Sequence, residues 1–101
     1  MNKAIRRAVF ARASNSCESC GQWVTPETGH LDHQQGRVRA PESVENCWAL
    51  CVTCDAQRTV NEPSAAHWLE KMARHADRHG YADVAEIHRA RIQSLRAKGL
   101  E

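Results

Sequence analysis

Apolar positions recur at helical spacing near both ends of the chain and in short runs at its centre. Residues 2–13 place Ile5, Val9 and Phe10 roughly on one side, with the arginines elsewhere, and predict a short helix. Ser14 to Ser16 break it. Residues 22–33 fit two short extended pieces joined by a turn over Pro26 to Gly29, the second ending in His30-Leu31-Asp32-His33. The polar residues 34–45, with Gly36 and Pro41, predict a surface loop. Asn46 to Leu50 predicts a strand, a helix should begin near Cys54, and Asn61 to Ser64, with Pro63, marks a boundary. Beyond it, Ala65, Trp68, Leu69, Met72, Ala73 and Ala76 share one helical face, and Gly80 ends that helix. A last helix over residues 82–97 should carry Val84, Ile87, His88, Ile92 and Leu95 on its stripe.

This pattern describes a small α+β domain with a poor core. The chain has 101 residues, and only three Trp, one Tyr and one Phe among them. Small domains bury a small fraction of their surface, so a chain of this composition needs a further source of stability. The cysteines supply one. Cys17-Glu-Ser-Cys20 and Cys51-Val-Thr-Cys54 are two C-x2-C pairs, and each lets two thiolates bind one metal from a tight turn. Together they make the four-sulfur set of a structural zinc site, with Gly21 giving the first turn its freedom. Structural zinc contributes on the order of 10–16 kcal/mol of apparent binding free energy to folding. Cys47 is left over, and reads as a small buried hydrophobe beside Trp48.

Five cysteines is an odd number for a disulfide framework. The first thirteen residues carry Lys3, Arg6, Arg7 and Arg12 with no apolar run of a secretory leader. No stretch approaches the roughly 18 apolar residues of a membrane span. These features predict a cytoplasmic, reducing location and no membrane contact. The net charge of +2 does not announce nucleic acid by itself. Its distribution is more telling: residues 1–16 hold four basic and no acidic groups, and Arg37 and Arg39 follow Asp32-His33. Such clusters suit phosphate contacts, or else are solvated faces. On the C-terminal helices His67, His75, His79 and His88 read as solvated polar positions. His75 and His79 lie four residues apart, a chelating spacing that lacks a third ligand.

Hydrolysis of a phosphodiester needs a base poised near neutral pH, which histidine provides, and a hard cation held by carboxylates. Asp32 and His33 are adjacent at a strand end. Asn46 on the next strand could hold the imidazole in its useful tautomer, and Asp55 could offer a second carboxylate from the helix start. Each has a plainer alternative: a turn pair for Asp32-His33, a turn residue for Asn46, and a helix N-cap for Asp55.

The run Cys17-x2-Cys20, Leu31-Asp32-His33, Pro41-Glu42-Ser43-x2-Asn46, Ala49-Leu50-Cys51-x2-Cys54 resembles the zinc-knuckle branch of the HNH endonucleases. The resemblance covers residues 14–60. It implies a ββα-metal (His-Me finger) core there; with the N-terminal helix and a helical extension over 64–98 that the periodicity predicts, the chain is expected to form one domain over 1–101. It implies that His33 is the general base and that Asn46 orients it. Asp32, with Asp55, would hold catalytic Mg2+ or Mn2+, and Cys17, Cys20, Cys51 and Cys54 would hold structural Zn2+. Asp55 departs from the His or Asn usual at its position, and His30 stands where an acidic residue is common. The expected activity is metal-dependent hydrolysis of DNA, with Lys3, Arg6, Arg7, Arg37 and Arg39 on the backbone, by a monomer or a homodimer. The alternatives are a catalytically degenerate zinc module that binds nucleic acid or protein, and a zinc finger confined to protein partners.

Overall fold

The computed structural model describes residues 3–34, 43–61 and 65–100. Among them are four helices and one two-stranded antiparallel sheet, a small α+β arrangement. In chain order these are α1 (Lys3–Arg12), β1 (His30–His33), β2 (Cys47–Leu50), α2 (Val52–Asn61), α3 (Ala66–Arg78) and α4 (Ala82–Ala97). The chain divides into two compact units, Met1–Gln57 and Arg58–Glu101, with the division inside α2. Arg37, Arg39, Gly36, Pro41 and Pro63 lie outside the described residues.

In the first unit, α1 buries Val9 and Phe10 and packs on β2. It ends where Ser14 and Asn15 take left-handed backbone angles (φ 53° and 55°), and the Asn15 amide donates to the Phe10 carbonyl at 3.1 Å. Left-handed angles at two non-glycine residues reverse the chain abruptly and deliver it to the first cysteine pair. Phe10 then fixes the start of β1. A Cβ on Gly29 would meet the Phe10 ring at 2.8 Å, so only glycine fits between ring and strand. Arg6 closes the same corner: its guanidinium lies 5.1 Å from the Phe10 ring centroid and donates to the carbonyls of Pro26 and Gly29.

β1 and β2 pair as His30–Leu50, Leu31–Ala49, Asp32–Trp48 and His33–Cys47. Two expectations need correction here. The first extended piece forms no strand; it makes one bridge, Trp23 to Ser16. The reason is local, because Cys17 N–H donates to Gln22 O and Val24 N–H to Asn15 O. The segment is tied back onto the approach to the first cysteine pair, and β1 pairs with β2 instead. The helix expected near Cys54 begins earlier, at Val52. The amide of Asp55 already donates to Cys51 O at 2.9 Å, so helical bonding starts inside the second pair and Asp55 stands in the first turn rather than at the cap.

The second unit contains a helical hairpin. α3 packs against α4, and Gly80, at φ 77°, turns the chain between them. The expected face of α3 is buried at Trp68, Leu69, Met72, Ala73 and Ala76, while Ala65, at the N-cap, is only half-buried. His75 departs from expectation, since it is fully buried rather than solvated, whereas His88 is buried as its place on the stripe of the last helix predicts. The stripe of α4 also differs. Ala85, His88 and Ile92 are buried, whereas Ile87 is 44% exposed and Val84 and Leu95 are only half-buried. Close helix packing favours the small side chain of Ala85, and a face chosen by counting large apolar residues misses it. Among the described residues no helix is long and apolar enough to cross a membrane.

Candidate metal centre

The sulfurs of Cys17, Cys20, Cys51 and Cys54 all lie within 4.8 Å of one another, with Cys20 Sγ and Cys51 Sγ 3.8 Å apart. Each pair is shaped by its own backbone. Cys20 N–H donates to Cys17 Sγ at 3.5 Å, and Cys54 N–H donates to Cys51 Sγ at 3.4 Å. Gly21, at φ 85°, lets its amide reach back to Cys17 O at 2.8 Å. An L side chain is disfavoured at that angle. Four thiolates in a compact cluster are a soft donor set suited to zinc, and the residues present fit such an ion.

The thiols are not electrostatically alike. Burial acts to raise Cys17, but the backbone N–H groups of Cys20, Cys51 and Ser19 outweigh it and bring its pKa down to about 7. A group poised there gives up its proton readily to a metal. Cys54 is pushed well above the ordinary thiol value, first by burial and then by hydrogen bonding to the neighbouring cysteines. Four sulfurs this close cannot all ionise comfortably, because thiolates repel one another, and a dication would offset that repulsion. Cys47 is completely buried on β2 and outside the cluster, as expected of a small core residue.

Glu18, between Cys17 and Cys20, anchors the cluster to the sheet. Its amide donates to Ala49 O at 2.8 Å, and its carboxylate accepts from Ala49 N–H at 3.0 Å. Arg12, from the end of α1, donates to both Glu18 oxygens at 3.0 and 2.5 Å and to the carbonyls of Val44 and Cys47. The pair is nearly buried, at 11% and 4% side-chain exposure. A lone Arg in a basic cluster and a lone Glu in a C-x2-C loop carry no signal of this bond.

Beside the cluster, β1 alternates. His30 is exposed, Leu31 buried, Asp32 half-buried and His33 buried, so Asp32 and His33 lie on opposite faces of the strand. Asp32 accepts a hydrogen bond from Trp48 Nε1 at 3.1 Å. On its own side of the strand, His30 Nδ1 stands 3.6 Å from Asp55 Oδ2. His33 is paired with Cys47, and the next residue, Gln34, donates its amide to Asn46 O at 2.7 Å. Asn46 is held by bonds from its amide to Ser43 O and Oγ, both 3.2 Å, and is buried. The sheet thus sets Asn46 across from Gln34, one residue beyond the His33–Cys47 pair, and the turn into α2 brings Asp55 to the His30 side of β1. Lys3 and Arg7 on α1 are exposed, whereas Arg6 is engaged within the fold. Compared with protein-family models, characterised proteins and solved structures, the chain finds no match.

Proposed function

We propose that the chain is a divalent-metal-dependent endonuclease of HNH type, its zinc-knuckle ββα-metal core cutting DNA. The observation that carries this reading is the β1–β2 register. It pairs His33 with Cys47, the residue after Asn46, at one end of a strand pair, and this supports a site built at that end from His33, Asn46, Asp32 and, from the helix that follows the cysteine cluster, Asp55. In this reading zinc on the four cysteines is scaffold. Mg2+ or Mn2+ between Asp32 and Asp55 would neutralise charge on the phosphate and on the leaving oxygen.

His33 takes a proton from water as the water oxygen bonds to phosphorus and the bond to the leaving oxygen breaks. Its burial to 8% exposure limits the orientations of the ring, and Asn46 would select among them. Lys3 and Arg7 contact the phosphate backbone and fix position without reading bases. Arg6 contributes by shaping the turn before β1.

A second reading is supported by one contact. The approach of His30 to Asp55 gives that carboxylate a partner of its own, as expected in a degenerate relative that binds nucleic acid or a protein partner through a zinc-held scaffold. Nicking of supercoiled plasmid with Mg2+ or Mn2+ separates the two. Wild type should nick, and His33→Ala should lose about 10²–10⁴-fold in rate with one zinc per chain retained. Equal, trace activity in both proteins sinks the nuclease reading.

A further inference from the structure

Trp48 is the largest fully buried side chain of the first unit, and it directs its one polar atom at a carboxylate. Asp32 and Trp48 are partners in the β1–β2 register, and Nε1–H donates to Oδ2 at 3.1 Å. A buried indole needs an acceptor, and a backbone carbonyl or hydroxyl would serve at lower desolvation cost than a half-buried carboxylate. The choice of acceptor makes sense if the carboxylate is what needs holding. A carboxylate is planar, so tying one oxygen sets the direction of the other. The donor is also neutral. It stabilises the ionised carboxylate by hydrogen bonding, yet brings no positive charge to compete with a cation. An Arg or Lys at position 48 would do the first and spoil the second.

We propose that Trp48 is a positioning residue for a metal-ligating Asp32: the cross-strand indole N–H holds Oδ2 so that the charged carboxylate is presented to the divalent cation in one orientation. The inference rests on the reading of Asp32 as a cation ligand given above. Donors behind metal-ligating carboxylates typically change metal affinity by about 10–100-fold when removed. The effect belongs on binding of the cation, not on the hydrolytic step, since Trp48 acts only through Asp32.

The decisive substitution removes the N–H and keeps the ring. Trp48→Phe does so at the cost of volume in a packed core. Site-specific replacement by β-(3-benzothienyl)alanine, in which sulfur stands for N–H, keeps the shape of indole and guards against loss of fold. Mn2+ affinity is read by electron paramagnetic resonance on the zinc-loaded protein, with zinc content and melting temperature recorded beside it. The benzothienyl protein should bind Mn2+ about 10–100-fold more weakly with zinc and melting unchanged, and its nicking should recover at saturating Mn2+. In the unmodified protein, Mg2+ should shift the Trp48 indole N–H resonance and leave those of Trp23 and Trp68 in place. If Asp32→Ala weakens Mn2+ binding but the benzothienyl protein binds as wild type, Trp48 is packing alone and the proposal fails. If Asp32→Ala leaves Mn2+ binding intact, Asp32 is not a ligand, and both the nuclease reading and this inference fall.

Discussion

Residues 1–57 and 58–101 reach compactness by different physical routes. The first unit has little regular structure: a ten-residue helix, two strands of four residues and the start of another helix. Its order is carried by polar ties, with Arg12, Glu18 and Arg6 bonded to carbonyls and amides of distant segments, and by four sulfurs gathered in one place. The second unit has helices of 13 and 16 residues whose shared face is mostly apolar. Helices satisfy their own backbone groups, so such a hairpin needs only side-chain burial. A loop-rich unit must find partners for its backbone elsewhere. The difference teaches why the cysteines, Glu18 and Arg12 cluster where they do: chemistry concentrates where secondary structure does least.

The strongest way to break this comparison is to remove a ligand of the candidate zinc site. Cys54→Ser should abolish stoichiometric zinc binding, withdrawing a contribution on the order of 10 kcal/mol. Amide NMR should then show residues 3–34 and 43–57 losing their dispersed resonances while α3 and α4 keep helical shifts. Loss of all resonances together would mean that the units are not energetically distinct, and the comparison would fail. A smaller contrast sharpens it. Glu18→Ala takes the carboxylate from the Arg12 charge and should cost about 3–5 kcal/mol, as removal of one partner from a buried ion pair does, while hastening zinc loss to a chelator. Leu69→Ala, at a fully buried position of α3, should cost about 2–5 kcal/mol through its cavity and leave the rate of zinc loss unchanged. Equal effects on zinc release from both variants would erase the distinction.

What the sequence disclosed divides along the same line. The cysteine cluster was readable because C-x2-C spacing is a local constraint, and the helices because periodicity is local too. Gly21, Gly80 and the buried face of α3 all follow from short-range rules. The pairing of β1 with β2 was harder, since thirteen residues separate His33 from Cys47 and nothing local says that the segment around Trp23 is turned back on Asn15 and Cys17. Glu18 and Trp48 escaped notice for the same reason. Their importance lies in partners 31 and 16 residues away, and a single Glu or Trp looks alike whether bonded or not. His75 escaped because polar residues are read as exposed, although it is completely buried on α3.

The smallest expected effect concerns His88 and isolates the second unit by pH. Its pKa is lowered to about 4, first by burial and then by Arg91, Arg58 and His75, against an unfolded value near 6.5. Because the folded value is depressed, the native imidazole stays neutral while the unfolded one charges. The unfolded state therefore binds more protons between about pH 6.5 and 4, and stability falls as pH drops through that window. Between pH 7.5 and 5 the loss should reach about 2 kcal/mol. Protons would also compete with a metal for the thiolates of the first unit, so acid sensitivity alone proves nothing about His88. His88→Leu removes the titration and leaves the cysteines as they were. Hydrogen exchange of the α3 and α4 amides, compared between wild type and His88→Leu at both pH values, subtracts the zinc contribution. The variant should be less pH-dependent than wild type by about 2 kcal/mol. Parallel pH profiles in the two proteins would assign the acid response to other groups, and the second unit would then owe nothing of it to His88.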